Sequence, residues 1–245
     1  MKMVMRLALG VWLAVFSPAI LAAQELSEER VRELVRETIL ANPEILLEAI
    51  AVLENRAAEA EQLSRADIID QQRLTLERDP NAPVVANPDG DVTLVEFFDY
   101  NCPYCRRVMP TVGALTEADT GIRLVYREWP ILGEGSIFAA RAALAARTQG
   151  LYEEFHIAMM SMTGRAEEGS VLRIAREVGL DVDQLLIDME APEVDEHIET
   201  SMRLADMLGI TGTPTFIVGT NLIPGAVDQA TLQALVDEAR AEASN

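Results

Sequence analysis

The chain has two cysteines, Cys102 and Cys105, which are separated by Pro103 and Tyr104. A thiolate is a strong nucleophile, and two thiols at this spacing can form and release a disulfide. The residues from Cys102 onward predict a helix start, because a proline in the first turn removes no needed hydrogen-bond donor. Since a helix N-terminus stabilises an anion, we expect the pKa of Cys102 to fall from about 8.5 into the range of about 3.5 to 7.5. Cys105, one turn further on, is then the resolving thiol.

The segment before the cysteines predicts a buried strand, because Thr93 to Phe98 is apolar, β-branched and aromatic. Glu96 is its only charged residue and stands six residues before Cys102. Burial raises the pKa of a carboxyl group, and such a group can exchange a proton with Cys105 during thiol exchange. An acid that reaches solvent at a sheet edge is the alternative reading of Glu96.

Other uses of a cysteine pair are an ordinary disulfide or half of a metal site. A zinc site needs two more ligands, and the two histidines, His156 and His197, have no ligand spacing to the pair. We therefore predict no metal site and no cofactor. A copper(I)-binding protein remains the alternative of a different class, because this soft ion binds two thiolates well.

The flanking residues add a resemblance. With Glu96 six residues before Cys102 and Pro110 five residues after Cys105, the chain resembles the thioredoxin superfamily and, within it, the DsbA-type branch. This resemblance implies an α/β, thioredoxin-like fold with a large helical insertion at about residues 134–209.

The same resemblance implies a substrate-binding surface. Pro214 corresponds to the cis-proline that lies beside the active-site cysteines in thioredoxin-like proteins, and Thr213 before it would pair with an extended substrate. Pro103 and Tyr104 complete the predicted surface. Tyr104 replaces the histidine of DsbA, so a cation is missing and extreme oxidising power is not expected.

Two stretches, Asn87 to Cys105 and Trp129 to Gly133, resemble the ScsC-like group of the DsbA-type branch. Members of that group carry an N-terminal helical extension, and some are trimers with isomerase activity. Such an extension is visible in this sequence. Ser27 and the acids after it predict a helix start, and Asn42-Pro43 predicts the cap and first residue of a second helix that ends near Arg78.

The second helix carries a seam at coiled-coil-like spacing, formed by Leu46, Ile50, Leu53, Ala57 and Ala60. A single helix cannot bury such a seam. We therefore predict a homo-oligomer formed through residues 25–78, while packing of the extension on its own domain is the alternative.

The N-terminus has the plan of a secretory signal. Lys2 and Arg6 precede an apolar run from Leu7 to Phe16, and small residues follow up to Ala23. We predict cleavage after Ala23 and a periplasmic protein, with an uncleaved anchor as the alternative. The domain prediction is a signal peptide at 1–23, a helical region at 24–80 and the catalytic domain at 81–245.

The remaining sequence completes the fold prediction. Pro83 to Ala86 suggests an edge strand, and Ile122 to Arg127 suggests a parallel strand after the crossover helix. Residues 135–209 are predicted to be helical throughout. We expect Met159, Met160 and Met162 to fill the core or to form a peptide-binding surface, and His156 to be structural. The 245 residues carry a formal charge of −20, which argues against nucleic acid as a partner.

These patterns together predict an exported protein disulfide oxidoreductase. Its expected substrates are proteins that contain cysteine, and a membrane redox partner is expected to reoxidise or reduce it. An oxidase and an isomerase both fit the motif, and the N-terminal seam favours the isomerase.

Overall fold

The computed structural model describes residues 27–244. The signal peptide predicted at 1–23 and its cleavage after Ala23 lie outside this range. Among the described helices, none combines the length and the apolar character that a membrane span requires. The chain divides between Arg56 and Ala57 into two compact units.

The N-terminal helices begin and end close to the predicted positions. Helix α1 spans Glu28–Ala41, and the Ser27 hydroxyl caps it by accepting a hydrogen bond from the Arg30 amide at 3.2 Å. Helix α2 spans Glu44–Arg78. Asn42-Pro43 separates the two helices at the predicted position. Asn42 is the C-cap of α1, where its side chain donates to the Thr38 carbonyl at 3.0 Å, and α2 begins directly after Pro43.

In the described part of the first unit, residues 27–56, most large apolar side chains are exposed. No residue of α1 is buried. Leu46, Ile50 and Leu53 of the predicted seam are 50%, 49% and 63% exposed. Among the described residues, these three side chains therefore form an exposed apolar face.

The second unit is built on a five-stranded sheet. Its strands are β1 Val84–Ala86, β2 Val92–Phe98, β3 Ile122–Glu128, β4 Thr215–Val218 and β5 Asn221–Pro224. The order is β1-β3-β2-β4-β5, with β2 parallel to β3 and the other neighbours antiparallel. Strand β2 therefore lies at the centre of the sheet, and the segment predicted at its edge is indeed β1.

The helices of the second unit follow the predicted order. They are α3 Pro103–Ala118, α4 Glu134–Ala146, α5 Tyr152–Ser161, α6 Glu168–Glu177, α7 Val182–Asp188, α8 Pro192–Met207 and α9 Gln229–Ala243. Helices α4 to α8 connect β3 to β4, which confirms the helical insertion. Pro110 lies inside α3, as predicted.

Side chains on the two faces of the central strand β2 pack in two different apolar clusters. Leu94 and Phe98 pack in one apolar cluster together with both cysteines. Val95 and Phe97 point to the opposite face and pack in a second cluster. Because side chains alternate along a strand, Glu96 lies on the same face as the cysteines.

The C-terminal part of α2 belongs to the second unit. Ile69 and Leu76 are both 1% exposed and pack in the second cluster. Arg127, which is fully buried on β3, pairs with Asp79 at 2.7 Å and donates to the Thr75 carbonyl near the end of α2. The unit boundary at Arg56 therefore falls earlier than the domain boundary predicted after residue 80.

Candidate active site

The two thiols lie where strand β2 passes into helix α3. Cys102 occupies the N-cap position, and Pro103 is the first helical residue, as the sequence predicts. Cys102 is 4% exposed and Cys105 is fully buried, and neither is part of a disulfide. The first thiol is thus at the end of the helix and the second lies one turn inside.

Hydrogen bonds make Cys102 acidic. A hydrogen bond from the Cys105 thiol, with further ones from Thr213 and the backbone of Cys105 and Tyr104, lowers the pKa of Cys102 from 9.0 to about 5, although burial opposes this shift. Cys102 is therefore a thiolate at neutral pH. The predicted fall in pKa is reproduced without the cation that a histidine at position 104 would supply.

Cys105 has the opposite character. Burial raises its pKa far above the ordinary value, and the hydrogen bond to Cys102 and the nearby Glu96 charge raise it further. It stays protonated until a neighbouring group takes its proton. The two thiols of one motif thus differ because one faces the helix end and the other faces the core.

Glu96 is a buried acid whose charge acts on Cys105. It is 3% exposed on the central strand, which excludes the reading as a solvent-facing edge acid. Burial, followed by the Cys102 charge, raises the pKa of Glu96 to about 8. The carboxyl group is therefore mostly protonated at neutral pH and can both donate and accept a proton.

The predicted substrate surface lies beside the first thiol. The peptide bond between Thr213 and Pro214 is cis, as the resemblance implies. The Cys102 sulfur lies 3.2 Å from the carbonyl oxygen of Thr213. A groove of about 450 Å³ continues from this point and is lined by Tyr104, Arg107 and the loop that carries Pro214.

The structure thus brings together all seven predicted site residues: Cys102, Cys105 and Glu96 at the thiols, and Pro103, Tyr104, Thr213 and Pro214 at the groove or the helix start. An arrangement of one acidic thiol, one basic thiol and a buried proton carrier suits thiol–disulfide exchange.

Comparison with protein families agrees with this geometry. The model of the DSBA-like thioredoxin domain matches residues 93–237, more than half of the chain. This chain belongs to the DsbA-like thioredoxin domain family. A second model, the N-terminal domain of the copper resistance protein ScsC, matches residues 28–60.

Solved structures place the DsbA-like chain among thiol oxidoreductases. A thioredoxin-like oxidoreductase from Silicibacter pomeroyi is 67% identical, with a TM-score of 0.68, and the match covers 69% of this chain and 97% of that one. A linker-deletion mutant of ScsC from Proteus mirabilis is 28% identical, with a TM-score of 0.69, and the match covers 92% and 100%. The second match extends over the N-terminal helices as well.

Curated relatives include much longer proteins. The Na(+)/H(+) antiporter NhaA of Herminiimonas arsenicoxydans is 31% identical over 164 residues, which make up 66% of this chain and 26% of the antiporter. The DsbA-like chain therefore spans about a quarter of the length of this relative.

Asp99 organises the active-site loop, and the sequence analysis did not identify it. Its carboxylate accepts hydrogen bonds from the amides of Ile131 and Leu132 at 2.8 and 2.9 Å and from the Ser136 hydroxyl at 2.7 Å. Its own carbonyl accepts from the Cys102 amide at 3.0 Å. One acid thus ties the cysteine turn to the start of the helical insertion.

Arg106, directly after Cys105, makes a second connection of this kind. It donates to the Tyr100 carbonyl at 2.9 Å and to the carbonyls of Met162 and Gly164 at 3.3 and 2.6 Å. Its position next to the cysteine was visible in the sequence, but two of the three carbonyls that it reaches are nearly 60 residues away. Only the fold brings them together.

Both histidines are buried. His156 is buried against Tyr100, with 3.1 Å between its Nδ1 and the tyrosine hydroxyl, and burial lowers its pKa to about 4. His197 lies 2.7 Å from the Glu128 carboxylate. Within residues 27–244, no group of three or more potential ligands could hold a metal ion.

Proposed function

We propose that this DsbA-like protein is an exported thiol–disulfide oxidoreductase that forms or rearranges disulfides in protein substrates. The observation that carries the proposal is the contrast between the two thiols. Cys102, with a pKa of about 5, is a good nucleophile and a good leaving group, whereas Cys105 is basic and buried. The predicted signal sequence supports a periplasmic location.

In oxidation, a substrate thiolate attacks the Cys102 sulfur of the Cys102–Cys105 disulfide. The S–S bond breaks and Cys105 leaves with its electron pair as a thiolate. This thiolate then accepts the proton of Glu96. The second substrate thiolate then attacks the substrate sulfur of the mixed disulfide, and Cys102 leaves as a stable thiolate. The substrate loses two electrons, and the protein disulfide gains them and becomes the dithiol.

Reduction or isomerisation uses the same groups in the other direction. The Cys102 thiolate attacks a substrate disulfide, and the Glu96 carboxylate takes the proton of Cys105 so that Cys105 can resolve the mixed disulfide. The extended substrate pairs with the backbone at Thr213, beside the cis-proline. A membrane redox partner restores the starting state of the thiols.

Single cysteine substitutions test this assignment. Cys102→Ala abolishes oxidation of a two-cysteine peptide, and Cys105→Ala accumulates mixed disulfides that mass spectrometry detects. A Cys102→Ala protein that oxidises the peptide at the wild-type rate contradicts the assignment. Thiol trapping in cells distinguishes the modes, since an oxidase is kept as the disulfide and an isomerase is kept as the dithiol.

We further propose that the protein self-associates through residues 25–78 and that this favours isomerisation. The exposed seam of Leu46, Ile50 and Leu53 supports the proposal. Several active sites on one scaffold can hold a misfolded substrate while its disulfides are exchanged. Sedimentation of the mature protein at micromolar concentration tests it, and a monomer contradicts it.

Copper(I) binding is the second candidate, because the family model that matches residues 28–60 is named for copper resistance. It would use the same two sulfur atoms. Tight binding of copper(I) by the reduced protein, without any turnover of peptide thiols, would favour this function over the oxidoreductase.

A further inference from the structure

The groove beside Cys102 has a single charged residue among those that line it, Arg107. Its other lining residues are neutral, and they include Tyr104 and the turn from Thr211 to Pro214. The groove begins at Thr213, whose carbonyl is 3.2 Å from the Cys102 sulfur. A substrate whose cysteine reaches Cys102 therefore places its neighbouring residues close to this one cation.

Arg107 has no acidic partner among residues 27–244. Its guanidinium carbon lies 5.1 Å from the centre of the Tyr104 ring, which is a cation–π distance. Tyr104 is 53% exposed, so the pair stands at the surface. A cation–π contact leaves the N–H groups at the guanidinium edge available to donate hydrogen bonds to a carboxylate.

The neighbouring arginines are occupied in a way that Arg107 is not. Arg106 donates to three backbone carbonyls, and Arg165 lies 3.6 Å from Glu167 and donates to the Leu132 carbonyl. The sequence has 40 acidic residues against 20 basic ones, so an acid for Arg107 would have been easy to supply. The groove instead presents an unpaired cation in a strongly acidic protein.

From this geometry we infer that the groove selects substrate segments with an aspartate or glutamate close to the target cysteine, and that Arg107 is the specificity-determining residue. This inference rests on the proposed function and names its substrate class. The overall charge of −20 repels acidic substrates at long range. At physiological salt the screening length is about 8 Å, so the adjacent cation outweighs distant charges.

The test uses two peptides of identical composition and net charge. Both contain two cysteines. In the first, glutamates flank the cysteines and lysines stand at the ends, whereas in the second the two residue types are exchanged. The readout is the ratio of the kcat/KM values for oxidation of the two peptides by the disulfide form, after division by their rates with a small neutral disulfide.

We expect wild type to favour the first peptide by about 2- to 5-fold, the range for an exposed ion pair. Arg107→Gln removes the preference and Arg107→Glu reverses it. Arg203→Glu on α8 is the matched control, because Arg203 is exposed and does not line the groove, and it keeps the wild-type ratio. Far-UV circular dichroism checks that each variant is folded.

An equal ratio in wild type and Arg107→Glu overturns the inference, and so does a wild-type preference for the second peptide. If the Arg107 variants fail to fold, the wild-type ratio still decides. If the protein oxidises neither peptide, the proposed function itself is contradicted. If it oxidises both peptides fast and at equal rates, only the role of Arg107 is contradicted.

Discussion

The two units of this chain break the usual burial pattern in opposite ways. In the first unit, large apolar side chains such as Leu46 and Leu53 lie in solvent. In the second unit, charged groups such as Arg127, Glu128 and Glu96 lie in the interior. Exposed apolar area indicates a partner, whereas buried charge indicates an interior that is organised for a purpose other than stability alone. The contrast fits the two proposals made above, an assembly surface in the first unit and a site for chemistry in the second.

The largest expected effect tests the buried charges. Arg127→Ala removes the partner of Asp79 and leaves carbonyls at the end of α2 without their donor. Breaking a buried ion pair from one side costs about 3–5 kcal/mol. Urea unfolding of the second unit measures this loss. Arg203→Ala, at an exposed position, should change the free energy of unfolding by less than about 0.5 kcal/mol, and an equal loss in both variants would contradict the prediction.

The next prediction compares two leucines of helix α2. Leu76→Ala should cost about 2–5 kcal/mol at any protein concentration, because Leu76 is 1% exposed in the core of the second unit. Leu53→Ala should change the free energy of unfolding of a single chain very little, because Leu53 is 63% exposed. If residues 25–78 self-associate, Leu53→Ala weakens the oligomer in sedimentation and makes the melting temperature depend more strongly on concentration. Identical behaviour of the two variants would remove the distinction between the units.

Glu96→Gln should stabilise the protein at high pH. The pKa of Glu96 is raised from 4.5 to about 8, so its stabilising contribution is fully present below about pH 4.5 and is lost as the pH rises through about 8. The glutamine amide stays neutral and avoids this loss. At pH 9 the free energy of unfolding of Glu96→Gln should exceed that of wild type by on the order of a few kcal/mol, since one pKa unit is about 1.4 kcal/mol. Thermal melts of both proteins from pH 4 to 9 measure the difference. Parallel curves would show that Glu96 is not a buried acid.

The last prediction concerns the titration of the Cys102 thiol. Because the pKa of Cys102 falls from 9.0 to about 5, the thiolate stabilises the folded dithiol form fully above about pH 9, and this stabilisation is lost as the pH falls toward 5. Absorbance at 240 nm should titrate with a midpoint near pH 5. Cys105→Ala removes the hydrogen bond that lowers the pKa of Cys102 most, so it should raise the midpoint. An unchanged midpoint would mean that the Cys105 thiol contributes nothing.

The sequence by itself determined the elements and the reactive pair. Local signals were sufficient for these features. Ser27 and Asp228 cap their helices, Pro103 marks the first turn of α3, and the run from Thr93 to Phe98 is apolar enough for a buried strand. Residues that are adjacent in sequence set these features, so tertiary structure did not need to be known. The asymmetry of the two cysteines follows from the same local pattern.

The tertiary structure decided which distant groups meet. Asp99 reaches residues more than 30 positions away, and Arg127 reaches the end of α2 across about 50 positions. No local pattern encodes such pairs, because a polar side chain has the same sequence signature whether it faces solvent or a buried amide. The split of α2 into an exposed part and a buried part has the same cause. Both parts are helical, and only packing against the sheet tells Leu76 from Leu53.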